Sequence, residues 1–182
     1  MDAGRREELK RRQALMQLRN RRHEVSRDFR AIAPHLCARG IRFAKLMPIA
    51  CKRALGDLAS GPGQDEQLDI ASLPNGRTGG WETDEERASL LRAALDACCA
   101  PDTAVAVVIS PFCAGIRMRA ADAAEHEAIL WAHCWRLLWI VAAQGDRWLI
   151  QVGGSSGVFE PSVSYALDMG GSDRIADETA LG

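Results

Sequence analysis

The chain has 182 residues, 47% of them hydrophobic and 26% charged, and a formal net charge of −1. That length fits one compact domain, or one domain with an attached arm. The apolar share excludes a chain disordered throughout and a fibrous repeat, and a chain of this size needs no disulfide or metal staple to hold a core.

The near-zero total conceals a segregation. Residues 1–53 carry 15 Lys/Arg against 5 Asp/Glu, a net +10, while residues 54–182 carry 8 against 19, a net −11. Twelve of the 15 basic residues are arginine, whose planar fork grips phosphate bidentately where lysine offers a point charge. Charge separated in this way points to a polyanionic partner or to docking between the two halves.

From Arg5 to about Ile32 nothing breaks a helix, and Leu15, Leu18, Val25, Phe29 and Ile32 recur at helical spacings. The stripe is narrow and the other faces are crowded with arginine, which predicts a basic amphipathic helix ended or kinked by Pro34. A second helix is predicted through Leu36–Leu58, carrying Ile41, Phe43, Leu46, Ile49 and Leu55 and disturbed by Gly40 and Pro48. Residues 1–58 thus read as a basic helical arm. Residues 59–82 read as a flexible linker, with Ser60-Gly-Pro-Gly and Asn75-Gly-Arg-Thr-Gly-Gly80 as turn compositions.

An α/β core is predicted over 83–167. Thr83 with Glu86 fits a capping box, and Asp84, Glu85 and Glu86 suit the positive end of the helix that follows, which turns Leu91, Leu95 and Cys98 inward before Pro101. The Val-rich run Ala104–Ile109 reads as a strand covered on both faces. Ile116–Arg119 alternates like a half-exposed strand. Asp122 and Glu125 open a helix expected to reach at least Trp135. Leu137–Ala143 has two readings. It forms a strand paired in a hairpin with Arg147–Val152 through Gly145-Asp146, the favoured reading. Otherwise the helix continues, placing Trp131, Trp135 and Trp139 on one face. A last strand is expected near Val163–Leu167, and 168–182 reads as a frayed acidic tail. The predicted fold class is α+β: two N-terminal helices, then a helix and a small mixed or antiparallel sheet with one further helix.

Six cysteines make an even set, but the charged N-terminus lacks the apolar run of a signal peptide, so reduced thiols in a cytoplasmic compartment are expected. The most apolar stretch, Ile129–Ala143, is interrupted by His133 and Arg136 and is too short to cross a bilayer, so no transmembrane helix is expected.

Chemical motifs are sparse. Gly153-Gly-Ser-Ser-Gly157 matches G-x-S-x-G around Ser155, yet Val158-Phe-Glu-Pro161 is a poor helix and no histidine follows His133. Cys113 with His126 or His133 lacks any local signature of a thiol nucleophile. His35 and Cys37 with Cys51, Cys113 or Cys134 offer nitrogen and sulfur for zinc, but no CxxC spacing is present. No catalytic residue, cofactor or metal is therefore expected. The sequence points to a non-enzymatic binding protein whose arm (Arg11, Arg12, Arg19, Arg21, Arg22, Arg27, Arg30) docks an RNA or DNA backbone, alone or within a ribonucleoprotein. With only Phe29 and Phe43 as aromatics, the arm has no stacking platform, so binding led by backbone or shape is expected. The alternative is a protein–protein module, an adaptor or an inhibitor or immunity-type partner. It would be recognised through the acidic core or through Trp131, Trp135 and Trp139, with the arm resting on an acidic protein.

Overall fold

The unbroken run at the front folds as one 35-residue helix, α1 (Ala3–Cys37), in the computed structural model, which describes residues 3–46, 50, 51, 70, 73, 75–109, 115–134, 137–143, 147–153 and 161–167. Pro34 lies in the last turn and does not stop it. The stop is Gly40, in the left-handed region at φ 68°. Its N–H donates to the Cys37 carbonyl (2.9 Å), and the Ile41 N–H reaches back to the Leu36 carbonyl (3.2 Å). This is the hydrogen-bond pattern of a Schellman motif, completed by the two buried side chains Leu36 and Ile41.

The chain then enters β1 (Ala44–Leu46), so the helix predicted through 36–58 does not cross residues 41–46. Pairing with a neighbouring strand outweighs helical propensity there, and Gly40 has already turned the backbone. Ala50 and Cys51 are helical, while the rest of that predicted helix lies outside the described residues. Within the stretch read as a linker, Gly76–Gly80 forms a strand, β2, and Ile70 is buried. Gly76 is constrained to glycine, because a Cβ there would collide with the Ile70 carbonyl.

The remaining elements are α2 (Asp84–Cys98), β3 (Ala104–Val108), β4 (Gly115–Arg119), α3 (Ala120–Glu125), α4 (Glu127–Ala132), β5 (Leu137–Ala142), β6 (Leu149–Gly153) and β7 (Ser162–Ala166). The capping box of α2 forms, with Thr83 Oγ1 accepting from the Glu86 N–H (3.2 Å) and Glu86 Oε2 accepting from the Thr83 N–H (3.0 Å). The single helix predicted from Asp122 is two six-residue pieces broken at His126 (φ −112°, ψ 26°). Leu137–Ala142 is a strand, paired antiparallel with β6 from Leu137↔Gly153 to Val141↔Leu149, so the strand reading holds over helix continuation; β6 begins at Leu149 rather than Arg147, and the predicted Gly145-Asp146 turn lies outside the described residues.

The fold is α+β, and the sheet is larger than predicted. Seven strands run in the order β1-β4-β3-β5-β6-β7-β2, and every described pair is antiparallel. Alternation along the strands divides two apolar clusters between its faces. On one face Val105, Val107, Leu138, Ile140, Ile150 and Val152 meet Val25, Ile32 and Leu36 of α1, Leu91 and Leu95 of α2, and Leu130 of α4. On the other, Ala106, Val108, Trp139, Val141 and Leu149 gather with Cys51 and Ile70. Residues 168–182, read as a tail, lie outside the described residues. Among the described residues no helix is long and apolar enough to cross a membrane.

Candidate nucleic-acid interface

α1 has two unlike halves. Its C-terminal half is anchored: Val25, Ile32 and Leu36 are buried, and Phe29 packs against them with its ring 6.0 Å from Phe43. Toward the N-terminus, every described side chain from Arg5 to His23 is exposed. Even the apolar ones, Leu9 at 49%, Leu15 at 59% and Met16 at 65%, face solvent. At 1.5 Å per residue this exposed stretch is about 27 Å long.

Most of the predicted arginines share one side of α1. At about 100° per residue, Arg11, Arg12, Arg19, Arg22 and Arg30 fall within one third of the helix circumference, and Arg27 lies beyond that sector. Arg21 belongs to α1, and its side chain lies outside the described set. Two of these guanidinium groups have a carboxylate nearby, both on α1 itself: Arg12 meets Glu8 at 2.6 Å and Arg27 meets Asp28 at 3.3 Å. Among the described residues, no carboxylate lies within 4.0 Å of Arg11, Arg19, Arg22 or Arg30. Core carboxylates in ion pairs serve core arginines instead. Arg119 is held by Asp122 at 2.7 Å and lies 3.6 Å from Asp102; its hydrogen bond to Asp122, the largest influence, raises its pKa above the usual guanidinium value. The basic surface continues past the helix, where Lys45 on β1 places its ammonium 5.1 Å from the Phe29 ring centre.

Trp131 and Trp139 do not share a face. Trp131 on α4 packs edge-on against Trp81 with centroids 5.8 Å apart. Trp139 on β5 is buried in the cluster on the opposite face of the sheet, its Nε1 donating to Gln151 Oε1 at 3.1 Å. The stripe needed a continuous helix, and the chain becomes a strand at Leu137. Trp135 lies outside the described residues.

Between Trp81 and Trp131 sits a feature that helical spacing alone does not reveal. Arg87 is buried with its guanidinium about 5 Å from both ring centres, and Glu127 accepts its Nε–H at 2.5 Å. Burial opposes the charge, but the hydrogen bonds to Glu127 and Asp84 outweigh it and raise the pKa of Arg87. The available sequence signal was a lone arginine among the inward positions of α2.

The remaining chemistry is thin. Burial pushes the Cys98 thiol up to about 12, which leaves it unreactive near neutrality. His35 and His133 stack with centroids 5.0 Å apart, and burial, followed by the charge of His35, lowers the pKa of His133. Among the described residues no three His, Cys, Asp or Glu side chains converge as metal ligands. An open cleft of about 340 Å³ between α2 and α3 is lined by Arg92, Asp96, Cys99 and Glu125. Cys113 and Ser155 lie outside the described residues. In comparisons with known proteins, the chain matches no family model, no curated protein and no solved structure.

Proposed function

We propose that the protein is a non-enzymatic binding protein whose arm, the exposed part of α1, docks the phosphate backbone of a nucleic acid. The observation that carries this reading is the exposure of the arm's arginines, with Arg11, Arg19 and Arg22 unpaired among the described residues. Among the described residues, no carboxylate of the acidic remainder pairs with Arg11, Arg19 or Arg22. The arm extends about 27 Å, several Debye lengths of roughly 8 Å at physiological salt. Each phosphate neutralised releases condensed counterions, so affinity falls steeply with salt.

The test is a salt titration of the full chain against labelled nucleic acid. About five phosphate contacts give a slope near −4.5 in log affinity against log salt for duplex DNA. Changing Arg11, Arg19 and Arg22 together to Glu weakens binding alike on all sequences and flattens the slope. Absence of binding to any nucleic acid at low salt overturns the reading.

A second reading, a protein-interaction module, is favoured by Leu9, Leu15 and Met16, three large apolar side chains exposed on the same arm. A stoichiometric protein partner that survives nuclease treatment, and is lost when these three are changed to Ser, supports it over the first.

A further inference from the structure

We infer that the docked nucleic acid is a duplex laid lengthwise along one side of α1, and that Lys45 on β1 holds the body-side end of its track. The inference rests on the nucleic-acid reading above and deepens it.

The sides of α1 change differently toward the body. Arg11, Arg22 and Phe29 are spaced eleven and seven residues apart, and Arg12, Arg19 and Arg30 seven and eleven, so the two rows run side by side along the helix. Glu8 is the acid in this sector, and it is paired with Arg12. On another side, Arg6, Lys10 and Gln17 begin a row that continues through Glu24 and the buried Asp28 to His35. Cations therefore surround the tip of the arm. Closer to the body, the first side stays basic, whereas the second turns acidic and ends with His35 stacked on His133.

The tertiary structure extends the basic side. After Gly40 the chain comes back beside α1, with Phe43 on Phe29 at 6.0 Å. Pairing of Lys45 with Ile116 puts it on the sheet face that α1 covers, and its ammonium stands 5.1 Å from the centre of the Phe29 ring. Lys45 is exposed, and among the described residues no carboxylate lies within 4.0 Å of it. It thus supplies a cation two turns beyond Arg22, at the place in the row where α1 itself carries an aromatic ring.

Length and chemistry favour a duplex. From Arg11 to Phe29 the axis rises about 27 Å, close to eight base-pair steps. Single strands are held by stacking on aromatic rings. Residues 5–23 contain no Phe, Tyr or Trp, and the ring of Phe29 already engages Phe43 and Lys45. A duplex carries its phosphates on the outside of a stiff rod. It reaches both ends of a straight track without stacking and without base contacts.

The experiment measures anisotropy of the full chain over a salt series, with labelled hairpin stems of 6 and 16 base pairs in DNA and in RNA, and with a single strand. Lys45→Ala is expected to weaken binding to the 16-base-pair stems by about threefold or more and to lower their log–log salt slope by about 0.9, one phosphate contact. The shorter stem, about 20 Å long, cannot reach both ends, so its affinity is expected to stay unchanged. Lys45→Arg restores the longer stems. Arg92→Ala, which removes an exposed cation from α2, leaves binding to both stems unchanged, and circular dichroism checks that each variant keeps its fold. No effect of Lys45→Ala, an equal loss on both stem lengths, or an equal loss in Arg92→Ala overturns the track. Tighter binding of the single strand than of the longer stems overturns the duplex assignment and leaves backbone docking intact. No binding to any probe overturns the nucleic-acid reading itself.

Discussion

Arg87 on α2 and Glu127 on α4 form a buried ion pair, Nε to Oε1 at 2.5 Å, with both side chains at 3% exposure or less. Asp84 holds the same guanidinium at 2.6 Å from the solvent side, and the rings of Trp81 and Trp131 lie about 5 Å away. One cation thus ties the first turn of α2, the residue after β2, and α4 into a single unit. A charge buried in this way is tolerated because its partners satisfy it, so removing a partner costs more than removing the pair.

Glu127→Ala is therefore expected to destabilise the protein by about 3–5 kcal/mol, since it leaves the guanidinium buried without its principal acceptor. Arg87→Met/Glu127→Leu, which removes both charges and fills the space, is expected to lose much less. Urea unfolding midpoints of the two variants test the order.

Stability is expected to decline as pH falls through the imidazole range. The pKa of His133 is lowered from its ordinary 6.5 by burial and then by His35, so the unfolded chain takes up the proton more readily than the folded one. Its contribution is present above pH 6.5 and is lost as pH falls through the lowered folded value. His133→Phe flattens the change in urea midpoint between about pH 7.5 and about pH 5. The Glu86 cap acts in a lower range. Backbone donors at Glu82 and Thr83 hold its pKa below 4.5, so its share persists until the medium is more acidic than that.

Two glycines are expected to resist substitution for different reasons. Gly40→Ala meets no atom within 4 Å, so its cost of about 1–2 kcal/mol is backbone strain at φ 68°. Asn at that position recovers part of it. Gly115→Ala places a methyl group 2.6 Å from Cys51 Sγ and 3.0 Å from the Val107 carbonyl, an overpacking cost of about 1–3 kcal/mol. Adding Cys51→Ala relieves only the first contact. Thermal or urea denaturation distinguishes the two cases.

Arm and body are expected to separate energetically. Arg11→Glu, Arg19→Glu and Arg22→Glu change exposed side chains without ion-pair partners among the described residues, so each shifts stability by less than about 0.5 kcal/mol. Ile32→Ala, at a fully buried site on the same helix, costs about 2–5 kcal/mol. Nucleic-acid affinity should respond in the reverse order, with the charge reversals lowering it and Ile32→Ala leaving it unchanged wherever the fold persists.

Local pattern settled a large part of this protein in advance. The unbroken run from Arg5, the Thr83–Glu86 cap, the valine-rich strand at 104–108 and the 137–153 hairpin were legible because each depends on residues close in sequence. Placement of charge along the arm was equally visible, since helical spacing orders side chains without any tertiary contact. Tertiary pairing decided the rest. Ala44–Leu46 and Gly76–Gly80 carry weak strand signals and become the two edges of the sheet because β4 and β7 offer them hydrogen-bonding partners. Trp131 and Trp139 were parted because the switch from helix to strand at Leu137 places them on opposite faces of the sheet. Arg87 meets Glu127 across 40 residues, a contact that no local spacing specifies. The physical reason is common to all three: burial and sheet pairing bring together groups far apart in the chain, whereas periodicity and capping act only within a few turns.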